Sequence, residues 1–225
     1  MTASELTRQQ LAILPSKTLR AGQRARPEIK IICVEDSDVL IKDYGSGKSL
    51  FGQLLGRFLV FREKIAYERL NDLPGIPSYY GTVDPYALIL QHVPTERILD
   101  VDYEQIPADF FRLLSELVEN LHSRGIAHGD LHKLDNILID DRGRPVVVDF
   151  TSAIMTGSNP LVALVFPIFC DDDWRGVYKL KDKVATELLT ERERRFLHHC
   201  SLGEQIFRRI REPIRSLIKQ WSSSS

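Results

Sequence analysis

The residues with the clearest chemical potential are two aspartates and an asparagine in the middle of the chain. Asp130 lies in a His-Gly-Asp-Leu string, and Asn136 follows it by six residues. Asp149 follows an apolar run at residues 146–148 and precedes a phenylalanine. Phosphoryl transfer needs a group that accepts a hydroxyl proton and oxygen ligands that hold Mg²⁺ against the phosphates. Carboxylate and amide side chains are the residue types that this chemistry uses.

Short β-rich and helical stretches in the first half of the chain must position any partner residues. Residues 29–34 and 39–43 are β-rich runs separated by a polar turn, which predicts a hairpin. Residues 49–73 predict one long helix or two consecutive helices, ended by the Pro-Gly-Ile-Pro segment at 74–77. Residues 88–90, Leu-Ile-Leu, predict a buried strand. A small sheet is therefore expected near the start of the fold.

The second half of the chain contains the strongest helical pattern and a second hairpin. Pro107 lies near the start of a helix with apolar residues at helical spacing, and Gly125 provides its stop. Residues 137–139 and 146–148 predict two strands joined by an Asp-Asp-Arg-Gly turn. From about residue 174 the sequence is expected to be mostly helical. The His-Gly-Asp-Leu string therefore lies between a helix and a hairpin.

The string at Asp130 and the run that ends at Asp149 together resemble the protein-kinase superfamily. The resemblance implies that Asp130 is the catalytic base and that Asn136 and Asp149 bind the metal. It also implies that His128 braces the catalytic loop. The family usually places this asparagine five residues after the aspartate, so the loop here carries one extra residue. Asp135 occupies the fifth position and is the second choice as ligand, but Asn136 immediately precedes the apolar strand, as the family's asparagine does.

The N-terminal half supplies an independent part of the same resemblance. Lys42, in the second β-rich run, fits the strand lysine that binds the α- and β-phosphates of the nucleotide. Glu63 lies 21 residues later and fits the helix glutamate that holds this lysine. Glu68 is the competing glutamate, but five positions further along a helix it points to another face. The resemblance further implies that the adenine bonds to backbone groups at the crossing between two lobes, at Gln91, His92 and Val93.

Glycines that kinases usually carry are missing at two places. Kinases cover the phosphates with a G-x-G-x-x-G loop before the lysine, but residues 19–30 contain only Gly22. Positive charge in this segment could replace the loop, or the segment could be an ordinary solvated basic loop. The basic residues are Arg20, Arg24, Arg26 and Lys30. Thr151 stands where the family usually has glycine, which alters the hinge of that segment without touching the Asp149 carboxylate.

The resemblance implies an α+β, two-lobed protein-kinase-like fold. A nucleotide-binding lobe with a small antiparallel sheet plus a helix is expected at residues 1–91. A reduced, mostly helical catalytic lobe is expected at residues 92–221, and a disordered tail at 222–225. No activation segment ending in Ala-Pro-Glu follows Asp149. This trimmed lobe resembles RIO-like atypical kinases and bacterial lipopolysaccharide core (Kdo/heptose) kinases.

The function that the resemblance implies is transfer of the γ-phosphate of ATP, with Mg²⁺, to a hydroxyl acceptor. The acceptor would be a Ser/Thr protein or a lipopolysaccharide-type sugar, as in the two groups of kinases named above. The alternative is a catalytically silent pseudokinase that acts as a binding scaffold, which the missing glycine loop and the shifted Asn136 favour. The retained lysine, glutamate and two aspartates argue against it, because a scaffold needs none of these side chains.

Composition limits the partners and the compartment. Lys and Arg number 30 against 31 Asp and Glu, so the net charge gives no reason to expect a nucleic-acid partner. The N-terminus lacks the features of a signal peptide. Widely spaced cysteines without a metal-binding pattern are typical of reduced residues, and they are Cys33, Cys170 and Cys200. We therefore expect a cytoplasmic protein.

Two apolar features favour a peripheral contact with an anionic membrane at its inner face. Residues 161–169 are almost entirely apolar. Between residues 206 and 221, apolar side chains alternate with arginine and lysine, as in a basic amphipathic helix that lies on a membrane surface. The alternative is that both sets of apolar residues simply pack the small C-terminal lobe.

Overall fold

A computed structural model describes residues 3–22, 26–35, 37–45 and 50–198. Internal contacts divide the chain into two units. The first unit comprises Met1–Pro94 together with Val148–Thr151, and the second comprises Thr95–Val147 together with Ser152–Ser225. Several sequence predictions fall outside the described residues, and they concern Arg24, Cys200, the basic C-terminal stretch and the serine tail.

The described residues form the following helices and strands. The helices are α1 (Arg8–Ile13), α2 (Leu50–Leu70), α3 (Phe110–Ser123), α4 (Pro160–Val184) and α5 (Glu191–His198). The strands are β1 (Ser16–Arg20), β2 (Glu28–Val34), β3 (Ser37–Asp43), β4 (Tyr79–Asp84), β5 (Ala87–Gln91), β6 (Thr95–Arg97), β7 (Ile126–Ala127), β8 (Ile137–Asp140), β9 (Pro145–Val147) and β10 (Ile154–Met155).

An antiparallel sheet in the order β1-β2-β3-β5-β4 forms the framework of the first unit. The predicted hairpin is confirmed as β2 and β3, and Val34 is paired with Ser37 next to the turn. The sequence analysis missed β1 and β4. Strand β1 is exposed along its whole length and contains one apolar residue, so it lacks the alternation of a half-buried strand. Strand β4 contains Gly81 and its pairing with β5 is irregular, which also hides the strand pattern.

The two faces of this sheet differ in the elements that pack against them. On one face, α1 and the residues before it cover an apolar cluster formed by Leu6, Ile32, Val34, Val39, Ile41, Ala87 and Ile89. Helix α2 packs against β4 and β5. Since side chains alternate between the faces of a strand, Lys42 lies on the face opposite to that of its neighbour Ile41. The lysine therefore lies on the face of the sheet away from α1.

Helix α2 is one continuous helix. Its buried positions include Val60, Glu63, Tyr67 and Leu70, spaced by three or four residues as expected for one side of a helix. The same spacing leaves other large apolar side chains of α2 exposed, namely Leu54, Phe58 and Phe61. A glutamate in the buried row is unusual because a carboxylate without a partner is costly to bury. Glu63 must therefore meet a partner inside the unit.

The second unit is built on α3, whose start and stop agree with the sequence analysis. The apolar residues of α3 are buried, and Gly125 follows the helix with φ +70°. The predicted second hairpin is confirmed as β8 and β9, and β6 adds to its edge. Strands β7 and β10 form a separate pair. The segment from β7 to β8 contains Asp130 and Asn136, so it is held between these short strands.

Helix α4 starts earlier than the sequence analysis predicted. Its first residue is Pro160, whereas the helical region was expected from about residue 174. The Asn159 side chain accepts a hydrogen bond from the Leu161 N–H, and proline is favoured in the first turn of a helix. Pro167 lies inside the helix and disguises its continuity in the sequence. Within the described residues, every helix is too short or too polar to cross a membrane.

Gly176 brings the backbone of α4 against the loop that contains Asp130. A Cβ atom at this position would lie 2.5 Å from the carbonyl carbon of Leu131 and 2.8 Å from the backbone nitrogen of His132. We expect Gly176→Ala to reduce the free energy of unfolding by about 1 to 3 kcal/mol, because the loop must move. Thermal or urea unfolding measures this. Gly157→Ala is the matched control, since a Cβ there meets nothing within 4 Å. Equal stabilities of the two variants would contradict the close approach.

Candidate active site

A buried lysine contacts two carboxylates in the first unit. The Nζ atom of Lys42 lies 2.6 Å from Oε1 of Glu63 and 2.7 Å from Oδ1 of Asp149. The side chains of Lys42 and Glu63 are 5% and 0% exposed, whereas that of Asp149 is 34% exposed. Residues far apart in sequence are thus joined at one ammonium group. The arrangement leaves the Asp149 side chain in contact with solvent while the lysine is enclosed.

The choice between the two helix glutamates is clear in the geometry. Glu63 occupies the buried row of α2 and also accepts a hydrogen bond at 3.4 Å from the Tyr44 hydroxyl. Glu68 is half exposed and lies 3.7 Å from Lys64, one turn earlier on the same helix. The structure therefore places Glu63 beside Lys42, and Glu68 on another face.

The backbone and neighbours of Asp149 fix the direction of its carboxylate. Asp149 has φ +70°, a left-handed conformation that is uncommon for residues other than glycine and that is found more often at functional sites than elsewhere. The Thr151 hydroxyl donates to Oδ1 of Asp149 at 2.8 Å. The Phe150 ring is fully buried and packs edge-on against Tyr67 of α2, with ring centroids 5.2 Å apart. Thr151, which departs from the kinase pattern, thus acquires a contact with the carboxylate that the sequence alone did not indicate.

The charges of Lys42 and Glu63 depend on burial and on each other. Desolvation lowers the pKa of Lys42, but Asp149 and Glu63 outweigh it and raise that pKa well above its ordinary value of 10.5. Burial raises the pKa of Glu63 to about 7 against the opposing effect of Lys42. These shifts disagree, because the first favours two ions and the second favours a neutral acid. We assign a charged lysine, since two carboxylates lie within 2.7 Å of its Nζ.

The loop that contains Asp130 is anchored by an aspartate that the sequence analysis did not single out. Asp173 of α4 is fully buried and accepts hydrogen bonds from the backbone N–H groups of His128 and Gly129, at 2.7 and 2.8 Å. His122 of α3 lies 3.1 Å from the same carboxylate. Gly129 has φ +71°, and a Cβ there would lie 2.9 Å from the Ser152 carbonyl oxygen. Glycine is therefore required next to Asp130.

The carboxylate of Asp130 is contacted on both oxygens. The Lys133 ammonium contacts Oδ2, and Nε2 of His132 lies 3.2 Å from Oδ1. The other ring nitrogen of His132 lies 3.8 Å from Asp172 of α4. Asp130 is 5% exposed, so these neighbours determine its orientation. Neither His132 nor Lys133 was assigned a role from the sequence, because the extra residue in the loop obscures their spacing.

Asn136 and Asp135 differ sharply in their surroundings. Asn136 is buried, and its amide nitrogen donates to the Asp130 backbone carbonyl at 3.1 Å. This contact leaves the amide oxygen of Asn136 as the atom able to act as a ligand. The Asp135 side chain is 70% exposed and lies 3.3 Å from Arg97. Of the two candidates for the loop ligand, Asn136 therefore has the fixed geometry.

The backbone segment expected to bind adenine ends the first unit. The Gln91 N–H already donates to the Ser78 carbonyl at 2.8 Å, and the Gln91 side chain accepts from the Ser78 N–H at 3.2 Å. The His92 ring lies 3.8 Å from Asp38. Adenine binding through this segment would therefore depend on the Gln91 carbonyl and on the backbone groups of His92 and Val93.

These features define a protein-kinase-like fold. One unit is a five-stranded antiparallel sheet whose lysine is paired with a helix glutamate, and the other is a mainly helical unit with an aspartate and an asparagine on one loop. A comparison of the sequence with protein-family models finds no match. The curated proteins likewise contain no significant relative.

Solved structures of Rio2 kinase from Chaetomium thermophilum are similar to this chain. One, described as the Rio2 kinase–ADP/Mg²⁺–phosphoaspartate complex, has a TM-score of 0.62 at 17% identity and covers 81% of this chain. The similarity spans 60% of that Rio2 chain. A second Rio2 kinase structure has a TM-score of 0.58 at 16% identity, covering 91% of this chain and 76% of its own. The kinase-like fold, and its likeness to the fold of a RIO-type kinase, are thereby confirmed.

Removal of the buried cation should leave Glu63 without its partner. We expect Lys42→Met to lower the free energy of unfolding by about 3 to 5 kcal/mol, as for other broken buried ion pairs. The double variant Lys42→Met/Glu63→Gln removes both charges and should recover most of this loss. Urea unfolding followed by circular dichroism measures the three free energies. A double-mutant cycle with no coupling between the two positions would contradict the ion pair.

The loss of unfolding free energy in Lys42→Met should depend on pH. In Lys42→Met, the folded-state pKa of Glu63 stays above its ordinary value of 4.5, so the folded protein binds this proton more tightly than the unfolded chain does. Removing Lys42, which lowers this pKa, raises it further, so the stability of the variant falls as the pH rises from about 5, and its deficit relative to wild type grows above about pH 7, where the wild-type Glu63 has already lost its proton. A deficit of equal size below and above about pH 7 would show that Lys42 does not lower the pKa of Glu63.

Proposed function

We propose that this protein is an ATP-dependent, Mg²⁺-requiring phosphotransferase. The observation that carries the proposal is the contact of the buried Lys42 ammonium with both Glu63 and Asp149. Glu63 fixes the buried lysine in position to bind the phosphates of a nucleotide, and the Asp149 carboxylate beside it is a ligand type that Mg²⁺ accepts. The likeness to Rio2 kinase, one structure of which is described as an ADP/Mg²⁺ complex, supports the same reading.

Each proposed role follows from a side chain's surroundings. Lys42, held by Glu63, binds the nucleotide phosphates, and the exposed side of Asp149 offers a carboxylate ligand to the metal. Asn136 offers an amide oxygen whose orientation is fixed by its bond to the Asp130 carbonyl. Bound Mg²⁺ would neutralise charge on the phosphates, and a carboxylate and an amide oxygen are ligands that it accepts.

The proton of the acceptor hydroxyl would pass to Asp130. Its carboxylate is nearly buried and is oriented by His132 and Lys133, as a catalytic base requires. His128 is buried in the same loop, and its backbone N–H donates to Asp173, which helps to hold the loop in place. We propose a hydroxyl acceptor on a Ser/Thr protein or on a lipopolysaccharide-type sugar, and a cytoplasmic enzyme. A pseudokinase scaffold is the second candidate, favoured by the missing glycine loop.

ATP consumption by the purified protein with Mg²⁺ tests the proposal. Wild type should turn over ATP, and Asp130→Asn should lose about 10²-fold or more, since general-base catalysis contributes about 10²- to 10⁴-fold. Asp149→Asn should also lose most of its activity, because it removes a carboxylate ligand of the metal. Generic protein and membrane extract are offered separately as acceptors. The acceptor that stimulates turnover identifies its class, and hydroxylamine-sensitive label on the protein would reveal a phosphoaspartate.

Two further variants separate the candidate loop ligands. Asn136→Ala should lose activity, whereas Asp135→Asn should stay within about twofold of wild type, because the Asp135 side chain is exposed and pairs with Arg97. Turnover that survives in Asp149→Asn would contradict the proposed metal role. Wild-type protein that binds ATP without turning it over with any acceptor would favour the pseudokinase.

A further inference from the structure

The segment before Lys42 carries basic residues where kinases have a glycine-rich loop. Strands β1 and β2 form an antiparallel pair, and the basic residues of this segment lie in or between these two strands of the sequence. Strand β1 lies at the edge of the sheet and is fully exposed. A basic residue of this segment can contact the nucleotide only if its side chain lies on the same face of the sheet as Lys42.

Strand register selects one of these residues. Arg20 is paired with Ile29 of β2, and Ile29 is paired with Lys42 of β3. Residues directly opposite one another on neighbouring strands have their side chains on the same face. Arg20 therefore shares a face with Lys42, two strands away, which is about 10 Å at the usual strand spacing. Lys30 is paired with Ile41, whose side chain belongs to the core under α1, so Lys30 lies on the opposite face.

A β-bulge produces this placement. Thr18 is paired with Lys30, but the next pair joins Arg20 to Ile29, so Leu19 is an extra residue in β1. Without the extra residue, Arg20 would be opposite Glu28 and would point to the same face as Lys30. Bulges commonly redirect a side chain next to an active site.

The charge pairing of the two residues also differs. Lys30 forms an ion pair with Glu28 at 2.9 Å. Among the described residues, Arg20 has no carboxylate partner within ion-pair distance and is exposed. An exposed guanidinium that no carboxylate of the described residues pairs with is available for an anion, and guanidinium groups bind phosphate oxygens in a two-pronged geometry.

We propose that Arg20 binds the phosphates of the nucleotide and replaces the contacts that a glycine-rich loop would make. This inference rests on the proposed function, because it takes the Lys42 face as the nucleotide site. Lys17 is paired with Ile31 and shares this face, but its pair lies two pairs away from the row that contains Arg20, Ile29 and Lys42. Its contribution is therefore smaller than that of Arg20.

Calorimetric titration with adenosine, ADP and ATP in the presence of Mg²⁺ tests the role of Arg20. Arg20→Gln should weaken ATP binding about tenfold, equivalent to about 1.4 kcal/mol, while adenosine binding stays unchanged. Arg20→Lys should recover part of the loss, since it retains the charge but not the fork. Lys30→Gln is the matched control, because it removes a charge of the same hairpin from the other face, and it should bind ATP as wild type does.

The outcomes separate this inference from the proposed function. Wild type that fails to bind ATP would overturn the proposed function and the inference together. Wild type that binds ATP, combined with unchanged affinity in Arg20→Gln, would overturn the role of Arg20 alone. An equal loss in Lys30→Gln, or an equal loss of adenosine binding, would also overturn it, because neither loss would come from a phosphate contact on the Lys42 face. Matching circular dichroism spectra establish that each variant is folded.

Discussion

The burial of one ammonium group constrains the whole first unit. A lysine that is 5% exposed must have counter-ions, because an unpaired buried charge costs several kcal/mol. This requirement sets the rotation of α2, since only its buried row can bring Glu63 to Lys42. It also accounts for the position of Val148–Thr151, which groups with the first unit although the residues on either side belong to the second. The ion cluster thus orders a strand, a helix and a distant loop.

A second buried charge organises the other unit. The Asp173 carboxylate accepts hydrogen bonds from two backbone N–H groups just before Asp130, so α4 determines the path of that loop. Gly176, one turn later on the helix, allows the two backbones to touch. Each unit therefore uses a buried carboxylate to position another part of its own chain, Glu63 for Lys42 and Asp173 for the loop of Asp130. Such sites are rigid because each hydrogen bond in a low-dielectric interior is costly to lose.

Much of this arrangement was predictable from sequence, and the exceptions have physical reasons. Lys42, Glu63 and Asp149 could be singled out because their order and spacing resemble the protein-kinase pattern, and each lies in or near an element that the sequence predicts. Asp173 could not, because three consecutive aspartates give no sign of which one points inward. Strand β1 was missed because an exposed edge strand has no apolar alternation. The face of the sheet on which the Arg20 side chain lies depends on a single extra residue in that strand. Only the pairing with β2 shows this extra residue.

The central claim is that Asp149 and the Lys42 cluster form the metal- and phosphate-binding part of a kinase. The most direct test is calorimetric titration with a non-hydrolysable ATP analogue, with Mg²⁺ and with EDTA, of wild type and Asp149→Asn. The account predicts that Mg²⁺ strengthens binding to wild type at least tenfold, which is about 1.4 kcal/mol, and has little effect on Asp149→Asn. Binding to wild type that is absent, or equal with Mg²⁺ and with EDTA, would contradict it.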